Sequence, residues 1–151
     1  MALKSPQATP IEWSIQDLVV GGRSIPIARL LVSVYFRTIL GHRAGLQQAW
    51  LDTAAPLSVI PFRLHRMIMW QPLGLEAIWA GQPFDLGTLD IWLPTRQPST
   101  VLGPFSIVAK FPHRDSLAAP VPSLLGLEFL LTHQAHLGLA PPPTGGLIRL
   151  P

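Results

Sequence analysis

The chain has 151 residues, 48% of them apolar and 13% charged, with 11 basic and 8 acidic side chains, a net charge of +3 and no cysteine. That length suits one domain with a sizeable core, and the missing cysteine excludes a disulfide framework, a zinc–thiolate site and a cysteine nucleophile. So few charges, where about 25% is usual, predict that part of the surface is covered in an oligomer.

The basic residues are densest at Arg63, His65 and Arg66. That cluster is too small for a nucleic-acid surface, which needs a wide basic face. No stretch reaches 18 apolar residues and the first residues lack a signal-peptide core. The expectation is a cytoplasmic chain with no membrane and no nucleic acid among its partners. His133 and His136 share helical spacing, but no third ligand stands at a telling distance, so neither a metal nor any other cofactor is expected.

Residues 1–10 read as a loose lead-in. Ile11 to Ile15 alternates like a strand, and Gly21-Gly22 sits between apolar pieces as a hairpin turn. Ile27 to Phe36 is rich in β-branched and aromatic residues and predicts a strand. After a turn at 41–45, Leu46 to Leu51 forms a returning strand that ends at Asp52. Pro56 and Pro61 keep Leu57-Ser58-Val59-Ile60 extended. The pattern over Phe62 to Trp70 does not decide between a short helix and an irregular strand. Residues 75–86 form a hairpin turning at Gly81-Gln82, and Leu89, Ile91 and Leu93 mark one face of the next strand. Phe105 to Lys110 is another strand, and 111–122 is a proline-rich loop. Leu124 to His133 has helical spacing and predicts the one convincing helix, leaving at Gly138. Leu147 to Pro151 reads as a terminal edge strand. About eight short strands, one late helix, 17 prolines and 12 glycines argue for an all-β barrel or sandwich.

The chemistry concentrates at Gln48 to Ile60, where Asp52 ends an apolar run and is followed by Thr53, Ala54 and Ala55. Burying an unpaired carboxylate costs several kcal/mol, so Asp52 is either exposed or held where its charge is useful. Glu76, Asp85 and Asp90 fall at hairpin or alternating exposed positions. No Gly-x-Ser-x-Gly elbow occurs, and paired-carboxylate chemistry needs two acids in one cleft. A symmetric homodimer supplies the second by presenting the same residue twice.

Leu51-Asp52-Thr53-Ala54-Ala55 resembles the Asp-Thr/Ser-Gly-Ala motif of retropepsin-like aspartic proteases, the single-domain, retroviral-protease-like group. Ser123-Leu124-Leu125-Gly126-Leu127-Glu128-Phe129-Leu130 is similar to that family's second motif, an apolar-apolar-Gly segment opening a short helix. The two stand in the family's order, within a framework from about Ile27 to Leu139. The resemblance implies a closed acid-protease β-barrel with one short C-terminal helix, dimeric and free of cofactors. Residues 1–25 would then be an N-terminal extension or edge strand, 26–140 the retropepsin-like domain, and 141–151 a tail and candidate dimer-interface strand.

It further implies that Asp52 is the catalytic carboxylate, paired with Asp52 of a second copy to activate a water that hydrolyses a peptide or protein substrate. Thr53 would bond across the dimer axis, and Ala54 and Ala55 would line the active-site loop under the substrate. Trp79, Ala80, Gly81 and Gln82 would form the flap, and Gly126 would pack behind the loop. The chain departs from the family in three ways: Ala54 replaces its glycine, Pro56 and Leu57 stand where a polar residue is usual, and Trp79 is bulkier than a glycine-rich flap tip. The competing expectations are a catalytically weak or silent dimeric barrel that binds peptides or serves assembly, and an unrelated all-β binding domain.

Overall fold

The structure, a computed structural model, describes residues 7–43, 45–79, 81–114 and 123–151. It is predominantly β, with one short helix. The strands are β1 Gln7–Val20, β2 Arg23–Phe36, β3 Gln47–Asp52, β4 Ser58–Val59, β5 Gln71–Trp79, β6 Gln82–Pro94, β7 Val101–Pro112, β8 Leu124–Gly126, β9 His136–Leu139 and β10 Gly146–Leu150. The helix, α1, is Leu127–Thr132, and a single 3-10 turn covers Phe62–Leu64. The expected loop at 111–122 reaches partly outside the described residues, and of it Phe111 and Pro112 belong to β7.

All ten strands hydrogen-bond in the order β5-β6-β7-β4-β8-β3-β2-β1-β10-β9, and β6 also pairs with β2 through Tyr35–Trp92 and Phe36–Ile91. That extra pairing brings two distant strands of the order together around one core. Val32, Val34 and Phe36 of β2, Ala49 and Leu51 of β3, Leu89, Ile91 and Leu93 of β6, Ile107 and Ala109 of β7, and Phe129 of α1 are all buried in it. Their alternation is the period-two pattern a half-buried strand requires. Against this core Trp70 stacks on Phe111 with 3.9 Å between ring centroids. Gly87 makes room for that stack: a Cβ there would lie 2.5 Å from the Trp70 ring.

Four expectations need correction. Gln7 to Pro10, expected as lead-in, belong to β1 and pair with Leu147 to Leu150. The C-terminal strand is not at an edge, because β10 lies between β1 and β9 and Ile148 is fully buried. Leu124 to Gly126 are strand, not helix, and the helix is only six residues long. Their apolar run fits a helix period, but β8 is hydrogen-bonded along one edge by β3 and along the other by β4, and a strand of three residues is too short to show an alternation that separates it from the helix that follows. Gly138, expected at the helix exit, instead lies inside β9; the helix ends at His133, followed by Gln134 with φ +50°.

The first hairpin turns at Gly21-Gly22 as the sequence predicts, with φ of +57° and +74°. Two consecutive positive φ values suit a two-residue turn whose twist matches its strands, and glycine adopts them freely. The second hairpin pairs Trp79 with Gln82. Gln82, expected in the turn, is therefore a strand residue of β6, Gly81 is a turn residue, and Ala80 lies outside the described residues.

Candidate functional site

The two motifs singled out in the sequence meet in space. β3 and β8 run parallel, pairing Trp50 with Leu124, Leu51 with Leu125 and Asp52 with Gly126. The carboxylate and the glycine, 74 positions apart in the chain, are thus register partners. β4 completes the arrangement by pairing with β8 at Val59–Leu124 and with β7 at Ser58–Ala109 and Val59–Lys110. The loop leaving Asp52 must therefore cross over the end of β8 before it becomes β4.

Four backbone groups of that crossing are held by hydrogen bonds. The Ala54 N–H donates to Asp52 Oδ1 at 2.9 Å, and the Ala55 N–H donates to the Asp52 carbonyl at 3.2 Å. The Ala55 and Pro56 carbonyls accept the N–H groups of Leu127 and Glu128 at 2.8 and 3.1 Å. These are the first two N–H groups of α1, which a helix cannot satisfy internally. The loop does the capping, and α1 has no side-chain cap. The Gly126 N–H donates to Ser58 Oγ at 3.0 Å inside the core. A Cβ on residue 126 would lie 2.5 Å from the Leu57 carbonyl carbon and 2.9 Å from the Ala55 oxygen, so only glycine fits without moving backbone.

The helix is fastened on its other side by Glu128. Its carboxylate accepts the Val108 N–H at 3.3 Å and the Thr132 hydroxyl at 3.1 Å. His133 adds a 2.8 Å contact from Nε2 to the Ser106 carbonyl and packs edge-on against Phe105. The loop carrying Asp52 is therefore backed by a short rigid stack: β8, α1 and β7.

Asp52 itself is half-buried, Thr53 and Ala54 are exposed and Ala55 is half-buried. Among the described residues Asp52 forms no ion pair. Two other acids of the sheet do: Asp90 pairs with Arg37 at 3.3 Å, and Asp85 pairs with His113 at 3.2 Å when that ring is protonated. The Thr53 hydroxyl has no hydrogen-bond partner among the described residues. On the same face of the sheet as Asp52, the Arg29 guanidinium stacks over the Trp50 ring at 3.7 Å. The β2–β3 register that ends at Leu30–Leu51 puts Arg29 at the next position, beside Asp52.

Ala54 stands at non-positive φ, since the described non-glycine residues with positive φ are Ser99 and Gln134. Its methyl group imposes no left-handed strain on the loop. Of the four residues expected in the second hairpin tip, Gly81 and Gln82 are exposed; Ala80 and the Trp79 side chain lie outside the described residues. Near its tip the hairpin is tied to the segment that follows β7, through Asp85 and His113 when that ring is protonated, and through a 3.0 Å bond from Arg114 Nε to Gln82 Oε1. Ser58 is the residue that sequence reasoning passed over. Its only signal was a lone hydroxyl in an apolar run bracketed by prolines.

A concavity of about 280 Å³ bounded by Arg96, Thr144 and Arg149 lies at the β9–β10 end and includes no part of the Asp52 loop. Among the described residues, no helix is long and apolar enough to cross a membrane. No protein-family profile and no curated protein sequence matches the chain.

Proposed function

We propose that the chain is a retropepsin-like aspartic endopeptidase. In this reading two copies form a homodimeric β-barrel enzyme whose dyad is one Asp52 from each. The observation that carries the reading is the crossing at Asp52. A carboxylate at a strand end has one oxygen held by the second following N–H, in a loop stacked on an apolar-apolar-Gly strand that opens a short helix.

The chemistry follows from that geometry and needs no cofactor. The Ala54 N–H fixes one carboxylate oxygen of each Asp52 and leaves the other for the reaction. Two carboxylates brought together at a two-fold axis share one proton, because like charges in contact disfavour double ionisation. The ionised member takes a proton from a water, and the protonated member hydrogen-bonds the scissile carbonyl of a peptide or protein substrate. The Thr53 hydroxyl, which has no partner among the described residues, bonds across the axis and holds the two loops together. The hairpin of β5 and β6 serves as the flap, excluding water once the peptide is in place.

One observation favours a second reading. The Ala54 methyl is on the exposed side of the loop, where an extended peptide would lie. If it blocks approach, the molecule is a dimeric peptide-binding or assembly module without turnover. The test is cleavage of a peptide library at mildly acidic pH by wild type and by Asp52→Asn. The substitution replaces both carboxylates of the dyad at once and should lower turnover by at least about a hundredfold, with dimer and circular dichroism unchanged. Undiminished cleavage by Asp52→Asn would sink the protease reading. A dimeric wild type that binds but cleaves nothing would establish the second.

A further inference from the structure

The hairpin of β1 and β2 is longer than the sheet that supports it. β3 stops at Asp52, level with Arg29 of β2 by the continuing register. β2 runs on in the same direction for six more residues, Arg23 to Ala28, matched by Ile15 to Val20 of β1. At about 3.3 Å per residue, this two-stranded overhang reaches about 20 Å past the row of the carboxylate. It projects from the end of the sheet at which the Asp52 loop lies.

Its composition is wrong for a free ribbon. Ile15, Leu18, Val19, Val20 and Ile25 are between 46% and 69% exposed. An isolated pair of strands is at best marginally stable in water, and a contiguous exposed apolar patch marks a surface that is covered in use. The strand register sorts these residues. Leu18–Ile25, Gln16–Ile27 and Val20–Arg23 share the face that carries Arg29 and Asp52, while Ile15–Ala28 and Val19–Ser24 take the other. The apolar stripe is thus continuous with the carboxylate's face.

We propose that this overhang is an arm that lies along a second copy of the chain, burying Leu18, Ile25 and Val20 against it. The inference rests on the shared-dyad reading and goes beyond it by naming the surface that makes the dimer. A two-fold axis beside Asp52 puts the partner at the end of the sheet from which the arm projects. An arm of that length cannot stop at the axis; it must run onto the partner, and by symmetry the partner's arm runs back. The alternative interface, the C-terminal strand, has both of its edges already bonded within the chain, to β1 and β9.

The test is sedimentation equilibrium of wild type and of the double variant Leu18→Asp/Ile25→Asp, with circular dichroism as the check on folding. The expected result is a wild-type dimer and a folded variant whose self-association is weaker by at least about tenfold, the loss typical of buried interface anchors. A folded variant that dimerises as tightly as wild type overturns the arm, as does a wild type that stays monomeric at micromolar concentration. Should the variant fail to fold, Val20→Cys in this cysteine-free chain accepts an environment-sensitive dye at the arm. Its emission should shift to the blue as protein concentration rises through the dimerisation range, and a constant emission overturns the proposal. The peptide-cleavage assay separates the two readings. A wild-type dimer that depends on the arm but cleaves nothing removes the protease and leaves the arm standing. Cleavage that the double substitution leaves untouched removes the arm alone.

Discussion

The Gly126 N–H and the Ser58 hydroxyl meet inside the core at 3.0 Å, and the position of the Asp52 loop depends on them. Ser58 is fully buried, so water cannot replace its oxygen. Ser58→Ala strands a buried N–H, which should cost about 1–3 kcal/mol. The expected readout is a lower urea midpoint with an unchanged slope; an unchanged midpoint would show that the bond contributes nothing. Asp52 was legible in the sequence because an acid inside an apolar run is costly unless it is held or exposed. Ser58 was not, because a serine among apolar residues looks the same whether its hydroxyl is satisfied locally or by a residue 68 positions away. Ala54 shows the reverse. Read as a replaced glycine it suggests a strained backbone, yet its non-positive φ removes that cost and leaves the methyl as a question of substrate approach alone.

At the scale of elements, the strands long enough to show an alternation could be read and the shortest could not. Leu89, Ile91 and Leu93 alternate with less buried neighbours and were placed correctly. β8 is only three residues long, so its Leu-Leu-Gly merged into the helical pattern that follows. β10 was expected at an edge because it closes a chain after a Pro-Pro-Pro stretch, and no local signal tells an edge strand from one taken up between β1 and β9. Its actual place makes a prediction. Ile148 is fully buried within one chain, so Ile148→Ala should destabilise by about 2–5 kcal/mol, as other large core deletions do. The difference from wild type in urea unfolding should be the same at low and high protein concentration. A difference that grows on dilution would return β10 to the interface between copies.

For the whole molecule, the open question is whether the site belongs to one chain or to two. Within one chain the Asp52 loop is braced from behind by β8, α1 and β7, and among the described residues its carboxylate is in no ion pair and its threonine hydroxyl has no partner. The 13% charge content and the apolar overhang of the first hairpin point the same way, toward a surface that a second copy covers. A shared site has a consequence that an autonomous one lacks. Asp52→Asn chains, which keep the fold, should enter dimers with wild-type chains and silence them. If exchange is random, an equal amount of the variant leaves about half of the wild-type chains in fully wild-type pairs, so cleavage should fall to about half, and further as more variant is added. The measurement is peptide cleavage at fixed wild-type concentration while Asp52→Asn protein is titrated in and allowed to exchange. If the sedimentation of the mixture shows that mixed dimers form and cleavage nevertheless stays constant, each chain works alone and the shared dyad is wrong.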